Sequence, residues 1–70
     1  MIYKISYVIT GQPGSGLIRN EDHLPRPGEI VALGDERFKI TEIIELIPAR
    51  GDWGYYHATC EPLVPAHRGK

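Results

Sequence analysis

Short runs dense in Ile, Val, Tyr and Thr alternate along the chain with four clusters of Gly and Pro: Gly11 to Gly16, Pro25 to Gly28, Gly34, and Pro48 to Gly54. Runs of β-branched and aromatic residues bounded by turn formers predict strands. Residues 2–10 alternate, with Tyr3, Ile5, Tyr7 and Ile9 on one face and Lys4, Ser6 and Thr10 on the other beside Ile2 and Val8. A period of two predicts a half-buried strand with the Tyr/Ile face inward. Its tyrosines are expected near the rim of the core, where the hydroxyls find partners. Leu17 and Ile18 predict a short second strand folded back on the first, followed by a polar stretch from Arg19 to His23. Pro27-Gly28 suits the central positions of a type II turn, because Pro presets φ and Gly accepts a positive φ. Residues 29–33 predict a short strand that is apolar on both faces, and hence central in its sheet. Residues 55–61 predict the last strand, with Tyr55, His57 and Thr59 on one face and Tyr56, Ala58 and Cys60 on the other.

Residues 38–47 fit two periods. As a strand, Phe38, Ile40, Ile44 and Leu46 share a face that only Glu42 interrupts; as a helix, Ile40, Ile43, Ile44 and Ile47 follow the i, i+3, i+4, i+7 spacing. Asp35 would cap that helix and Pro48 would end it. The strand is preferred for two reasons. Half of these positions are Ile or Thr, which lose side-chain freedom in a helix. The short connection from Leu33 to Phe38 also reads as a hairpin. A bulge near Glu42 reconciles the strand pattern, turning Ile43 and Ile47 to a second face. The expected fold is therefore all-β, a small five-stranded SH3-like or OB-like barrel over residues 1–61 with a loose tail at 62–70. The alternative is α+β, with residues 36–47 as one helix on a small antiparallel sheet.

Seventy residues bound what such a fold holds. A chain of this size buries only about 60% of the surface its unfolded form exposes, so one small core is expected and no deep cavity. The single cysteine, Cys60, has no partner for an internal disulfide, although short secreted domains usually carry several. With no basic-then-apolar leader and no apolar run near the roughly 20 residues that span a bilayer, the chain is expected to be a soluble cytoplasmic protein. Setting aside Arg68 and Lys70, six basic residues stand against nine acidic ones, a balance that disfavours a duplex-binding surface.

The candidate chemistry is thin. Gly11-Gln-Pro-Gly-Ser-Gly16 follows an apolar strand as a phosphate loop would, yet no Lys follows it and Pro13 removes an amide donor, so it reads as a hairpin loop. His57 and Cys60, with His23 or His67, offer metal or nucleophile chemistry. On a strand, however, positions 57 and 60 point to opposite faces, and Cys60 reads as a small buried residue. Among the carboxylates, Glu42 and Glu45 form the close pair within a strong element and read as solubilising charge. Arg50-Gly51-Asp52 reads as turn chemistry. No cofactor or metal is expected, and no catalysis.

The remaining group is aromatic. Trp53, Tyr55 and Tyr56 cluster beside a Gly-rich turn with Arg50 close by, the composition of a partner-binding surface. One of the two tyrosines is expected to face the core. The functional expectation is a non-catalytic protein-interaction module, with a homodimer through an open strand edge as one form of partner. The alternatives are two. One is a single-stranded nucleic-acid binder, stacking bases on Tyr3, Tyr7 or Tyr55 and meeting phosphates with Lys4, Arg19, Arg26, Arg37 and Lys39. The other is a subunit of an enzyme completed by another chain.

Overall fold

A computed structural model of the chain describes residues 1–12, 14 and 16–63. The described residues form no helix and five strands: β1 (Ile2–Ile9), β2 (Gly16–Glu21), β3 (Ile30–Leu33), β4 (Glu36–Arg50) and β5 (Trp53–Pro62). They make one mixed sheet in the order β2-β1-β5-β4-β3. β1 and β5 run parallel from Ile2 opposite Trp53 to Ile9 opposite Cys60, and the other pairs are antiparallel. The sheet curls into a half-barrel, an all-β architecture consistent with a small SH3-like or OB-like barrel. The helical alternative for residues 36–47 is overturned, because those residues lie inside β4.

The concave face holds the core, and alternation puts it there. Ile5, Tyr7 and Ile9 of β1 point inward with Tyr56, Ala58 and Cys60 of β5, Phe38 and Ile40 of β4, and Val31 and Leu33 of β3. Tyr3 and Ile43 pack at its margin. Tyr7 lies deeper than a rim position at 1% exposure, and it finds its partner across the sheet: its hydroxyl donates to Glu21 Oε2 at 2.5 Å.

Two expectations about the strands change. β2 continues through the polar stretch to Glu21, because the antiparallel register with β1 runs on from Leu17 opposite Tyr7 to Glu21 opposite Tyr3. β3 is an edge strand and not a central one, which is why Ile30 and Ala32 are exposed while Val31 and Leu33 are buried. The turns are closer to expectation. The Glu29 N–H donates to the Arg26 carbonyl at 3.0 Å around Pro27-Gly28, as a type II turn requires.

Two of the three hairpins of the sheet close on the same dipeptide. Gly34-Asp35 joins Leu33 to Glu36, and Gly51-Asp52 joins Arg50 to Trp53. Gly34 and Gly51 have φ of 67° and 63°, and no described non-glycine residue has positive φ. Left-handed backbone at the first central position alone is the signature of a type II′ turn, whose twist matches that of the flanking strands. The stretch from Ala49 to Gly54 is therefore no loop: the strands run up to a two-residue turn, and Trp53 belongs to β5.

β4 carries register shifts between Ile40 and Glu42, Glu45 and Ile47, and Ile47 and Arg50. The first is the bulge expected near Glu42. It exchanges the faces, so that Ile43 follows Phe38 and Ile40 inward while Ile44 turns out; Ile47 is also outward, so Ile43 and Ile47 do not share a second face as expected, and Leu46 is exposed as well. Beside β4, the pairing with β3 ends at Lys39, extended one residue by the Ile40 N–H donating to the Glu29 carbonyl and the Gly28 N–H donating to the Ile40 carbonyl. Past Ile40 that edge has no strand partner among the described residues.

Candidate functional site

Directly opposed residues in a sheet share a face, so the registers map the convex surface row by row. At the turn end, Ile2, Trp53 and Arg50 lie side by side. The next row is Asn20, Lys4, Tyr55 and Ile47; the next is Ile18, Ser6, His57 and Ile44; then come Gly16, Val8, Thr59 and Glu42. Ile44 and Ile47 thus form an apolar stripe along β4 that turns at the sheet end onto Trp53 and Ile2. All four are exposed, Trp53 at 43%. Six of the eleven exposed large apolar side chains among the described residues belong to this end of the sheet: Met1, Ile2, Ile44, Leu46, Ile47 and Trp53.

The aromatic group divides across the sheet. Trp53 and Tyr55 face outward with Arg50, whereas Tyr56 is 6% exposed and packs inside, its ring 6.0 Å from that of Tyr3. One tyrosine inward and one outward is the expected division, and it removes Tyr56 from any contact surface. Gly54 makes room for the inward ring. A Cβ there would lie 3.0 Å from both Tyr56 Cε1 and Ala49 Cα.

Two polar groupings adjoin these surfaces. On the convex face, His57 Nε2 lies 2.8 Å from Thr59 Oγ1, and that hydroxyl donates to Glu42 Oε1 at 3.2 Å. A hydroxyl has one hydrogen, so Nε2 carries the other. Cys60, three residues beyond His57, is fully buried on the opposite face, and burial pushes its thiol pKa up. The two residues do not meet. Among the described residues, no group of three or more His, Cys, Asp and Glu side chains is arranged to hold a metal ion. On the concave side, Arg19 and Tyr7 converge on Glu21. Arg19 donates to Glu21 Oε2 from Nε at 3.2 Å and from Nη2 at 2.9 Å, and its guanidinium carbon lies 5.3 Å from the Tyr7 ring centroid. Nη1 then reaches the Ala32 carbonyl at 2.9 Å, joining edge strand β2 to edge strand β3 across the mouth of the half-barrel. Burial works against the charge on Glu21, but the bonds from Tyr7 and Arg19 outweigh it and hold the carboxyl below its ordinary range. Burial first, and then the Glu21 carboxylate, push the Tyr7 hydroxyl well above its ordinary value. This network is a clasp whose groups satisfy one another, and nothing in the sequence spacing announces it.

The cations and rings named for nucleic acid do not converge. Arg19 is held on the concave side by Glu21, and Lys4, Arg37 and Lys39 are convex but separated along the sheet, with Lys4 beside Tyr55 and Lys39 opposite Glu61. Arg26 lies in the β2–β3 connection, Tyr7 is buried and Tyr3 faces inward. The loop at Gly11 to Gly16 and the tail at 62–70 fall partly outside the described residues, at 13, 15 and 64–70. The described part of the tail continues the sheet, with Pro62 in β5 and the Leu63 N–H donating to the Arg37 carbonyl at 3.0 Å. No helix among the described residues is long and apolar enough to cross a membrane. No family model, curated protein or solved structure matches this chain.

Proposed function

We propose that this protein is a non-catalytic protein-interaction module that presents the convex face at the turn end of its sheet to a protein partner. The observation that carries this reading is the apolar stripe of Ile44, Ile47, Trp53 and Ile2, exposed on one continuous surface beside Tyr55 and Arg50. Scattered apolar side chains are ordinary on a protein surface; a contiguous run with a tryptophan and an arginine is the composition of binding hot spots. The core does not need these residues, since it is complete on the opposite face.

The test compares the natural protein with a Trp53→Ser, Ile47→Ser double variant. Both are immobilised and exposed to an extract of the source cell, after circular dichroism has shown the fold unchanged. A protein retained by the natural chain and lost from the variant supports the reading. Equal retention by both, or none by either, overturns it.

A further inference from the structure

On that reading, we infer that the partner taken by this face is a second copy of the same chain, packed face to face in an antiparallel, two-fold arrangement. The inference comes from the order of side chains along the convex side of β4. From the middle of the strand to its turn they run Glu42, Ile44, Ile47, Arg50, each placed on that face by its β5 neighbour: Thr59, His57, Tyr55 and Trp53 respectively. The series is anionic at one end, apolar in the middle and cationic at the other. Reversed and laid on itself, it sets Glu42 against Arg50 at both ends and Ile44 against Ile47 between them. An isologous interface demands this property, that one patch be its own complement. Complementary charge at the ends also fixes the register and the antiparallel sense.

Each group is free for that role. Among the described residues the Arg50 side chain has no ion pair or hydrogen bond, and the Glu42 carboxylate accepts a hydrogen bond from the Thr59 hydroxyl at 3.2 Å and is in no ion pair. The β5 residues opposite the two charges, Thr59 and Trp53, are six residues apart, roughly 20 Å along an extended strand, so the overlap covers the exposed stripe. Lys39 and Glu61 are opposed to each other and lie beyond the overlap, past the partner's turn. His57 and Lys4 flank the stripe on β5 and β1, and Asp52 lies in the turn beside Arg50. Packing through the face also avoids the unpaired edge of β4. Three register shifts and Pro48, which has no N–H, break the regular ladder that edge pairing needs.

Sedimentation equilibrium of the full chain tests this. The weight-average mass of the natural protein is expected to rise from the monomer value towards twice that value between about 10 µM and 1 mM, the range of a small, transient interface. E42R and R50E, each placing like charges at both ends of the contact, are expected to weaken dimerisation by at least about tenfold. An equimolar mixture of the E42R and R50E chains then regains the dimer, because in the mixed pair every opposed end is again plus against minus. Circular dichroism confirms that both variants stay folded. A natural chain that is monomeric up to 1 mM overturns the inference. So does a dimer indifferent to both substitutions, the result expected of pairing through the strand edge, and so does a mixture that stays monomeric. A monomeric natural chain that still loses a heterologous partner on the Trp53→Ser, Ile47→Ser substitution defeats self-association alone and leaves the interaction reading standing.

Discussion

The two halves of β4 both carry large apolar side chains and meet opposite fates. From Glu36 to Ile40 the strand has β3 on one side and β5 on the other, and Phe38 and Ile40 are sealed into the core. From Glu42 to Arg50 its one strand neighbour among the described residues is β5, and Ile44, Leu46 and Ile47 are exposed. Isoleucine occurs in both halves, so residue type does not decide burial. What decides it is whether the curl of the sheet brings a second wall across from the side chain. The first half lies beside β3 and packs Phe38 and Ile40 into the concave core, whereas the second half, past the bulge at Glu42, turns Ile44 and Ile47 to the convex face.

The sharpest way to break this comparison is to truncate one side chain in each half. Phe38→Ala is expected to cost about 3–5 kcal/mol, the range for a buried aromatic, which is a large share of the stability of so small a domain. Ile44→Ala is expected to stay within about 0.5 kcal/mol when measured at a concentration where the chain is monomeric. Urea unfolding followed by tryptophan fluorescence reads both, and equal losses would mean that the distal half belongs to the core.

A smaller effect is expected at the clasp that makes the first half's environment. Tyr7→Phe removes the hydroxyl bonded to Glu21 and leaves a partly buried carboxylate short of a donor, at a cost of about 1–3 kcal/mol. If the clasp closes the seam between β2 and β3, Arg19→Met lowers protection of the Ala32 region against amide exchange while leaving that of Trp53 to Tyr55 unchanged.

The paired turns give an internal control. Gly34→Ala and Gly51→Ala each force a side chain into left-handed backbone with nothing within 4 Å of the new Cβ, so each is expected to cost about 1–2 kcal/mol from strain alone. Thermal unfolding that ranks one turn far above the other would show that the two hairpins differ in more than what lies across from them.

The acid response is expected to be the mildest. The Glu21 carboxyl is held below its ordinary value in the folded chain, so the stability it contributes is present above the ordinary value of 4.5 and is lost as pH falls through the lower, folded value. Glu21→Gln should flatten the stability profile in that window. His23 acts in the opposite sense. Its bonds to Glu29 and Asp22 raise its pKa above 6.5, so its contribution is present below that pH and disappears as pH rises past the raised value. This surface pair is a control for the direction of the effect.

Much of this protein is determined by local pattern. Alternation in residues 2–10 and 55–61 is enough to divide Tyr3, Ile5 and Tyr7 from Lys4 and Ser6, and Tyr56 and Cys60 from Tyr55 and His57, because side chains on a strand point alternately to its two faces whatever surrounds it. Gly-Asp at the β3–β4 and β4–β5 hairpins and Pro-Gly before β3 fix those turns for the same local reason, the backbone angles those residues permit. The tertiary structure alone decides which strand is central and which is an edge, because strand order depends on contacts between residues far apart in the chain. It sets β1 parallel to β5, leaves β3 at the margin although its sequence is apolar on both faces, and brings Arg19 to the Ala32 carbonyl. It also places Ile44, Ile47, Trp53 and Ile2 on one surface. Three separate strands supply those side chains, and only the register between the strands, shifted by the bulges of β4, lines them up.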